Sequence, residues 1–318
     1  MGKRLCLIGG SGFVGRAIVH QAVQRGYEVT VACRHPERAR DLLVDGARLV
    51  KTDIVEGKGL SDAVAGANVV VNLVGLLYEK GRYTFEAAHV HGTEHVIEAC
   101  REAGIERYLH MSALGAGDVP ESRYAATKAE AEERVVRSGL HWTIFRPSII
   151  YGRHDSFFNK FKKMGAGLPV MPLIAPEARF QPVWVEDVAR AFVMSVDDKR
   201  TWGQTYVLVG PKKYSFRQLI ELMNGELGRQ QILLPLPDFV ARMIALFTQW
   251  LPTPVLTTDQ LILLKHDNVA PQGVHFPELF GEPADLERVL PTFIHGDGAS
   301  WMQRRFNELR RHYRKGSL

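Results

Sequence analysis

The sequence contains few cysteines. Cys6, Cys33 and Cys100 are the only three among 318 residues, and each lies within an apolar run. Their odd number and irregular spacing argue against a disulfide framework and against a zinc site of paired cysteines. We expect all three thiols to be buried, as small apolar side chains of a protein from a reducing compartment.

Long hydrophobic runs are also missing. No apolar stretch reaches the roughly 18 residues of a membrane-spanning helix. The longest candidate, residues 239–251, is shorter and contains Arg242. The first apolar strand begins within a few residues of Met1, which leaves no room for a signal peptide. We therefore expect a cytoplasmic protein.

Positive charge is not spread along the chain. The formal net charge is +5, and residues 301–318 alone account for this excess. The remainder is close to neutral, whereas a nucleic-acid groove needs cationic side chains across the folded surface. We expect no nucleic-acid partner and treat the basic tail as a segment that could contact an acidic surface. Its charged residues are Arg304, Arg305, Arg310, Arg311, Arg314 and Lys315, with Glu308 as the acidic one.

Short β-branched runs alternate with helical segments through the first half of the chain. This alternation, with nearly all-apolar strands, predicts a parallel sheet covered by helices on both faces. We predict an α/β fold with a Rossmann-type, doubly wound parallel sheet, whose ligand site lies at the carboxyl ends of the strands. The predicted strands are 5–9, 27–33, 47–53, 68–75, 106–112 and 140–147, and the helices between them are 13–26, 36–44, 60–66, 85–103 and 124–139.

The regular alternation ends near Tyr151. We predict a nucleotide-binding Rossmann domain over residues 1–151, to which residues 181–210 return with a helix and a strand. Residues 152–180 and 211–318 then form a smaller, mostly helical substrate cap and the basic tail.

A glycine-rich loop, IGGSGFVG, follows the first predicted strand and opens the first predicted helix. Gly9 permits a tight turn, Gly12 lets the backbone approach a pyrophosphate, and Gly15 lets helix and strand pack closely. The free N–H groups and partial positive charge of the helix N-terminus favour phosphate binding. In this context the loop predicts a bound dinucleotide, with Ser11 and Phe13 beside it.

The end of the second strand indicates which dinucleotide binds. An NAD(H) site normally has Asp or Glu there to hold the ribose 2′-hydroxyl. This chain has Arg34, whose guanidinium suits a 2′-phosphate, so we predict a preference for NADP(H), with NAD(H) as the alternative. At the ends of the third and fourth strands, four residues are expected to lie along the cofactor: Asp53, Ile54, Val74 and Gly75.

The segment YAATK places Tyr124 and Lys128 one helical turn apart on the same face. A phenol ordinarily titrates near pH ~10, and a nearby ammonium favours its phenolate. The pair could therefore give or take a proton at a carbonyl or alcohol. Ser112, at the end of the fifth strand, could bond the same substrate oxygen. Such a pair is usually a surface feature, but after this glycine loop and strand order we predict a catalytic triad.

The segments GGSGFVG, NLVG, MSALGA, YAATK, RPSIIYG and QPVWVEDVA resemble an atypical member of the short-chain dehydrogenase/reductase superfamily. The resemblance implies that Tyr124 donates a proton, Lys128 bonds the nicotinamide ribose and Ser112 orients the substrate. The motif NLVG departs from the NxAG of many sugar-nucleotide members, which argues against an epimerase or dehydratase. Three further residues would flank the nicotinamide amide: Pro147, Ser148 and Ile149.

The segments HVHGTEHVIEAC, SRYAATKAEAEE and TTDQLILLKHDNV narrow the resemblance. They resemble the family of the NADPH-binding 39 kDa accessory subunit of respiratory complex I and its bacterial relatives. This family implies a nucleotide kept as a structural ligand and a partner in a respiratory or quinone-related membrane complex, or a peripheral place on the inner face of the membrane. The alternative is an active NADPH-dependent reductase of a carbonyl, quinone-like or isoprenoid substrate that uses Ser112, Tyr124 and Lys128.

Two other features receive no catalytic role. His91 and His95 share a helix face, but no third ligand or HExxH pattern accompanies them, so we predict no metal site. The apolar segment 233–256 contains more hydrophobic residues than one short helix needs to bury. We favour packing on the core of the cap, and the alternative is a docking face for a membrane or partner, helped by the tail from Trp301.

Overall fold

The computed structural model describes residues 3–251, 254 and 256–295. Its strands are β1 (Arg4–Ile8), β2 (Glu28–Cys33), β3 (Arg48–Lys51), β4 (Val69–Asn72), β5 (Arg107–Met111), β6 (His141–Pro147), β7 (Ile150–Tyr151), β8 (Val170–Leu173), β9 (Arg179–Phe180), β10 (Val183–Trp184), β11 (Gln204–Leu208), β12 (Tyr214–Ser215) and β13 (Ile232–Pro235). Its helices are α1 (Phe13–Gln24), α2 (Leu60–Val64), α3 (Gly92–Glu102), α4 (Arg123–Val136), α5 (Phe158–Met164), α6 (Val185–Ser195), α7 (Phe216–Leu227), α8 (Asp238–Thr248), α9 (Thr258–Leu263) and α10 (Leu286–Phe293).

Seven strands form the central sheet in the order β11-β6-β5-β4-β1-β2-β3. Every neighbouring pair in this sheet is parallel. From β1 the chain winds outward to β3, then returns to β4 on the other side of β1. The strand order therefore reverses between β1 and β4, where an open α/β sheet binds its ligands. The predicted Rossmann-type, doubly wound sheet is confirmed.

Both faces of the sheet are buried, and alternate residues of β1 serve opposite faces. Leu5 and Leu7 belong to the core that α1 and α6 cover. Cys6 and Ile8 belong to the core on the other face, under α2, α3 and α4. Residues 185–208 lie with this sheet, because α6 packs against α1 and β11 pairs with β6.

The three cysteines are buried and unpaired, as expected. Cys6 and Cys100 lie in the same core below the sheet. Burial raises the pKa of both thiols to about 12. They are therefore protonated at neutral pH and act as small apolar side chains.

Residues 36–44, predicted as one helix, instead form two 3-10 turns, Pro36–Arg38 and Arg40–Leu43. Ala39 between the turns leaves helical geometry, with φ −118° and ψ 18°. Only Ala39 and Leu42 are buried in this segment. Two small contacts give too little apolar surface to hold a regular helix of this length against the sheet.

The cap has an apolar core of its own. It joins α5, α7 and α10, and it buries Phe158, Phe216 and Leu290. Three short strand pairs frame it: β7 with β10, β8 with β13, and β9 with β12.

The expectation that residues 233–256 pack on the core of the cap is wrong for most of the large side chains of α8. Only Ala241 and Ala245 of this helix are buried. They pack with Leu256 and Leu261 of the neighbouring α9 segment. Ile244 is partly buried against the same cluster. The short α8–α9 hairpin covers only this narrow stripe of α8, so Phe239, Met243, Leu246 and Phe247 remain at the surface.

Within the described ranges, no helix combines the length and apolar character that crossing a bilayer requires. The basic tail from Trp301, and the docking role predicted for it, lie outside the described residues.

Gly15→Ala should destabilise the fold, because a Cβ there would lie 2.4 Å from the carbonyl oxygen of Gly10. A backbone shift of this kind costs about 2–4 kcal/mol. Gly225→Ala is the matched control, since its Cβ would meet nothing within 4 Å. At this exposed position of helix α7 the substitution should stabilise by about 0.5–1 kcal/mol. Urea unfolding of both variants tests this, and equal midpoints would contradict the packing argument.

Candidate functional site

The candidate site lies where the strand order reverses, at the carboxyl ends of β1 and β4. The Gly9 N–H donates to the carbonyl oxygen of Ala32 at 2.9 Å, and the Leu73 N–H donates to that of Ile8 at 2.9 Å. These bonds extend the sheet by one residue at each loop. A Cβ on Gly9 would lie 3.1 Å from a methyl carbon of Val74, so the two loops are in close contact.

The glycine loop prepares the first turn of α1 for an anion. Gly9 has φ +80°, a left-handed conformation that favours glycine. Gly12 is the N-cap of α1 and provides no side chain to bond the first N–H groups. Those groups are free for a phosphate. The ring of Phe13 lies against Gly152, so we expect its backbone N–H, and not its ring, to contact a ligand at the loop.

At the end of β2, Arg34 is exposed and its guanidinium lies 4.5 Å from the centre of the Tyr83 ring. The Tyr83 hydroxyl donates to Asp53 Oδ2 at 2.7 Å, and Arg82 donates to the same oxygen at 2.8 Å. Asp53, Arg34 and Tyr83 therefore form one cluster at the edge where the adenosine is expected. The sequence analysis missed Tyr83, because nothing in the loop after β4 indicates that it folds back over β2 and β3.

Ile54 is buried, and its carbonyl oxygen lies 2.9 Å from Nδ1 of His95. His91 is exposed beside Glu94 instead. The two histidines considered for a metal therefore have separate partners. The described part of the chain contains no group of three His, Cys, Asp or Glu side chains that could hold a metal ion.

Helix α4 brings the predicted triad to the same edge. Ser122 caps the helix by accepting from the Ala125 N–H, so Tyr124 and Lys128 fall on its first two turns. Lys128 Nζ donates to the carbonyl oxygen of Met111 at 3.0 Å, directly before Ser112. Ser112 Oγ is buried and has no hydrogen-bond partner among the described residues. A Cβ on Gly75 would lie 3.4 Å from Lys128 Nζ, which places the β4 loop beside the amine.

The protonation states differ from the expectation that an ammonium lowers the tyrosine pKa. Burial raises the pKa of Tyr124 to about 12, and the negative charge of Asp259 adds to the rise. Burial lowers the pKa of Lys128 to about 8, and the charge of Glu132 opposes this shift. Tyr124 is therefore protonated at neutral pH, the state that a proton donor needs.

The sequence analysis also missed His89. A π-helical turn, Glu86–His91, precedes α3 and turns His89 inward. Its Nε2 accepts from the Leu76 N–H at 3.1 Å, and its Nδ1 lies 2.9 Å from Thr127 Oγ1. The ring is also in edge-on contact with Tyr124. Burial lowers the pKa of His89 to about 2, so a neutral imidazole joins the β4 loop to α4.

Two polar residues of the cap, Asn268 and Asp259, bond the elements around the site. Ser148 Oγ donates to Asn268 Oδ1 at 2.6 Å, and Asn268 Nδ2 donates to the carbonyl oxygen of Leu114. Asp259, in α9, accepts from Ser122 Oγ at 2.9 Å and from the Arg123 N–H at 2.7 Å.

The three residues predicted beside the nicotinamide, Pro147, Ser148 and Ile149, already contact other parts of the protein. The Ser148 hydroxyl already bonds the cap. The Pro147 carbonyl oxygen accepts from Leu114 N–H at 2.9 Å. Ile149 packs against the core of the cap.

Comparisons with known proteins identify a nucleotide-binding domain in this chain. A family model described as NAD(P)H-binding matches residues 9–166. NADH dehydrogenase (ubiquinone) 1 alpha subcomplex subunit 9 of Arabidopsis thaliana mitochondria is 33% identical over 306 residues, which cover 91% of this chain and 76% of that protein. Ceramide reductase of Caulobacter vibrioides is 28% identical over 251 residues, covering 74% of each.

Among solved structures, the NADPH-dependent quinone oxidoreductase of Escherichia coli, in complex with NADPH, has the same fold. Its TM-score is 0.72 at 17% identity, covering 89% of this chain and 97% of that one. The predicted NAD(P)-binding domain is confirmed. Neither this structure nor the family model decides between NAD(H) and NADP(H).

Lys128→Met should change how stability depends on pH. The unfolded amine titrates near pH ~10.4 and the folded one at about 8. Between these values the unfolded chain binds more protons, so this group makes the nucleotide-free protein more stable as pH rises. From pH ~7 to ~10 the wild type should gain about 2–3 kcal/mol relative to Lys128→Met in urea unfolding.

Lys58→Met is the control for this experiment, because the Lys58 side chain is 78% exposed. It should leave the pH dependence unchanged. A difference between Lys128→Met and wild type that stays constant with pH would contradict a buried amine with a lowered pKa.

Proposed function

Because the chain belongs to the family of the mitochondrial NADH dehydrogenase (ubiquinone) alpha subcomplex subunit 9 proteins, we propose that it is a nucleotide-binding accessory protein. In this proposal it keeps one NADP(H) as a resident ligand and associates with a respiratory or quinone-related membrane complex. Its place is the inner face of the membrane, held peripherally. The nucleotide then stabilises the fold by mass action, whether or not a hydride moves.

The attachment of the cap is the observation that carries the proposal. Asn268 bonds both Ser148 and Leu114, and Asp259 bonds the start of α4. These contacts connect the cap to the elements predicted to hold the nicotinamide end. A ligand held beneath these contacts would leave only after they break, and such an opening step lengthens the time for which the ligand stays bound. The arrangement therefore favours retention over rapid exchange.

The choice of NADP(H) rests on Arg34. Its guanidinium lies over Tyr83 at the end of β2, and no acidic residue occupies the position that would hold a ribose 2′-hydroxyl. A second guanidinium is near, since Arg16 Nε donates to the carbonyl oxygen of Ser11 at 3.0 Å. The other end of the Arg16 guanidinium pairs with Asp41, so Arg34 is the group that we expect to bind a 2′-phosphate.

Reductase activity is the second candidate function, and the assembly of Ser112, Tyr124 and Lys128 at one edge favours it. Bound NADPH would supply a hydride to a carbonyl, quinone-like or isoprenoid substrate. The protonated Tyr124 would give its proton to the substrate oxygen, and Ser112 Oγ would donate a hydrogen bond to that oxygen. Lys128 would hold the ribose. The similarity to a ceramide reductase makes an amphiphilic carbonyl a reasonable first substrate to test.

Native mass spectrometry of freshly purified protein, with no nucleotide added, tests the resident ligand. We expect the wild type to carry the mass of one NADP(H). Arg34→Ala should lose it, because a charge-assisted bond of about 1.5–3 kcal/mol corresponds to a roughly ten- to hundredfold affinity loss. Arg25→Ala makes the same charge change at the opposite end of α1 and should retain the ligand.

Titration with NADPH and NADH completes that test. Arg34→Ala should weaken NADPH binding and leave NADH binding nearly unchanged. Equal NADPH affinity in Arg34→Ala and wild type would refute the assignment of Arg34. A wild type that is empty after purification but binds NADPH reversibly would refute residence and support an exchanging cosubstrate.

A screen of NADPH oxidation with quinones and long-chain ketones tests the second function. If the chain is a reductase, Tyr124→Phe should lower kcat about a hundredfold or more while retaining NADPH affinity. The Tyr124 hydroxyl makes no hydrogen bond within the described residues, so its loss should not disturb the fold. Tyr206→Phe, in the edge strand β11, is the control. Equal turnover by Tyr124→Phe and wild type would exclude the proton-donor role.

A further inference from the structure

Helix α8 presents its large apolar side chains to solvent. We call Phe239, Met243, Leu246, Phe247 and Trp250 the α8 face. Trp250 is 83% exposed, Phe239 69% and Phe247 68%. Their spacing of three and four residues places them on one stripe of the helix and the turn that follows it. A helix of a globular domain normally turns such a stripe towards the core.

This orientation is fixed by packing on the opposite side of α8. Ala241 and Ala245 pack against Leu256 and Leu261. Thr248 Oγ1 donates to the carbonyl oxygen of Leu256 at 2.9 Å. At the other end of the helix, Lys265 pairs with Asp238 at 3.0 Å. The helix is therefore held to α9 by Ala241, Ala245 and the partly buried Ile244, and the α8 face is left without a partner in the described part of the chain.

We propose that the α8 face docks on the surface of an anionic phospholipid bilayer. Phe, Leu and Trp on one side of a helix, with a basic residue beside them, are typical of helices that lie in the membrane interface. Arg242 is exposed beside the stripe, and the one acidic residue of α8, Asp238, is paired with Lys265. The stripe thus offers apolar surface and positive charge without an opposing negative charge.

The charge distribution of the chain favours a lipid surface over a protein partner. The sequence 301–318 holds a net charge of +5, and each basic residue near an anionic bilayer adds about 1 kcal/mol of attraction. The other residues have a net charge near zero, so this segment accounts for the positive net charge of the chain. An apolar stripe combined with a basic segment forms the two-part signal that stable peripheral binding requires.

Docking through α8 would place the candidate site next to the bilayer. The hairpin partner α9 carries Asp259, which bonds Ser122 and Arg123 at the start of α4, one residue before Tyr124. The inference rests on the proposed peripheral location and names its surface and its lipid chemistry. It does not depend on which dinucleotide binds.

Flotation of the full chain with lipid vesicles tests the proposal. We expect the wild type to float with vesicles of equal parts phosphatidylcholine and phosphatidylglycerol, and to remain behind with pure phosphatidylcholine. Phe247→Ser combined with Trp250→Ser should lower the bound fraction about tenfold or more, since the apolar contribution to interfacial binding is lost. Leu43→Ser combined with Val44→Ser removes two exposed apolar residues elsewhere and should bind like the wild type.

Three results would overturn the proposal. The first is a wild type that does not float with anionic vesicles. The second is an α8 double variant that floats as well as the wild type. The third is a wild type that binds membranes only when they contain membrane proteins, which would make the α8 face a protein interface.

Thermal unfolding and nucleotide content, measured on the same samples, separate this proposal from the proposed function. The α8 variant should keep the melting temperature and bound nucleotide of the wild type, because the mutated side chains lie in solvent. Loss of vesicle binding with retained nucleotide leaves the resident-ligand proposal intact. If the purified chain binds vesicles but holds no nucleotide, α8 docking is supported and only the resident-ligand proposal is contradicted.

Discussion

The close approach of Gly15 to the backbone of Gly10 determines how α1 leaves β1, and the site depends on that direction. A Cβ on Gly15 would lie 2.4–2.6 Å from three backbone atoms of Gly10. Because Gly15 has no Cβ, the helix axis can start directly above the end of the strand. The N-terminus of α1 then points along the carboxyl edge of the sheet, with the free N–H groups of its first turn aimed where a pyrophosphate would pass. The same placement lets α1 pack on α6, which completes one face of the sheet.

The fold and the positions of the main site residues could be predicted from local sequence. Apolar runs separated by helical segments determine a parallel sheet, and a parallel sheet brings all strand ends to one edge. That rule alone places Gly9 and Ser112 at the same edge, whereas Lys128 is brought there by helix α4. Residues contributed by loops or by distant segments could not be found in this way. Tyr83 folds back over Asp53, and Asp259 reaches α4 from 136 residues further along the chain, as its bond to the Arg123 N–H shows.

Two other features depend on burial, which periodicity does not reveal. The spacing of Tyr124 and Lys128 shows that they share a helix face, but their pKa values follow from desolvation on that face. For α8, the spacing of apolar residues predicts an amphipathic helix and leaves open which side meets solvent. The packed side holds Ala241, Ala245 and the partly buried Ile244, because a short hairpin offers little area to cover the helix. Small residues in an apolar helix can therefore mark its packed side.

The polar side chains below the site favour a chain that holds its ligand. Ser112 Oγ and both ring nitrogens of His110 are buried without partners among the described residues, and each unmet bond costs about 1–3 kcal/mol. Lys128 is buried with one hydrogen bond, and its lowered pKa shows that the charged form is destabilised. A ligand that offers oxygen atoms to Ser112 and Lys128 relieves these costs on binding and restores them on leaving. The cap is bonded to Ser148 and Ser122. Release of a ligand held under it would therefore break these bonds and, in the same step, leave Ser112 and Lys128 without the ligand's oxygen atoms. The resident nucleotide that we propose would offer such oxygen atoms and so relieve part of these costs.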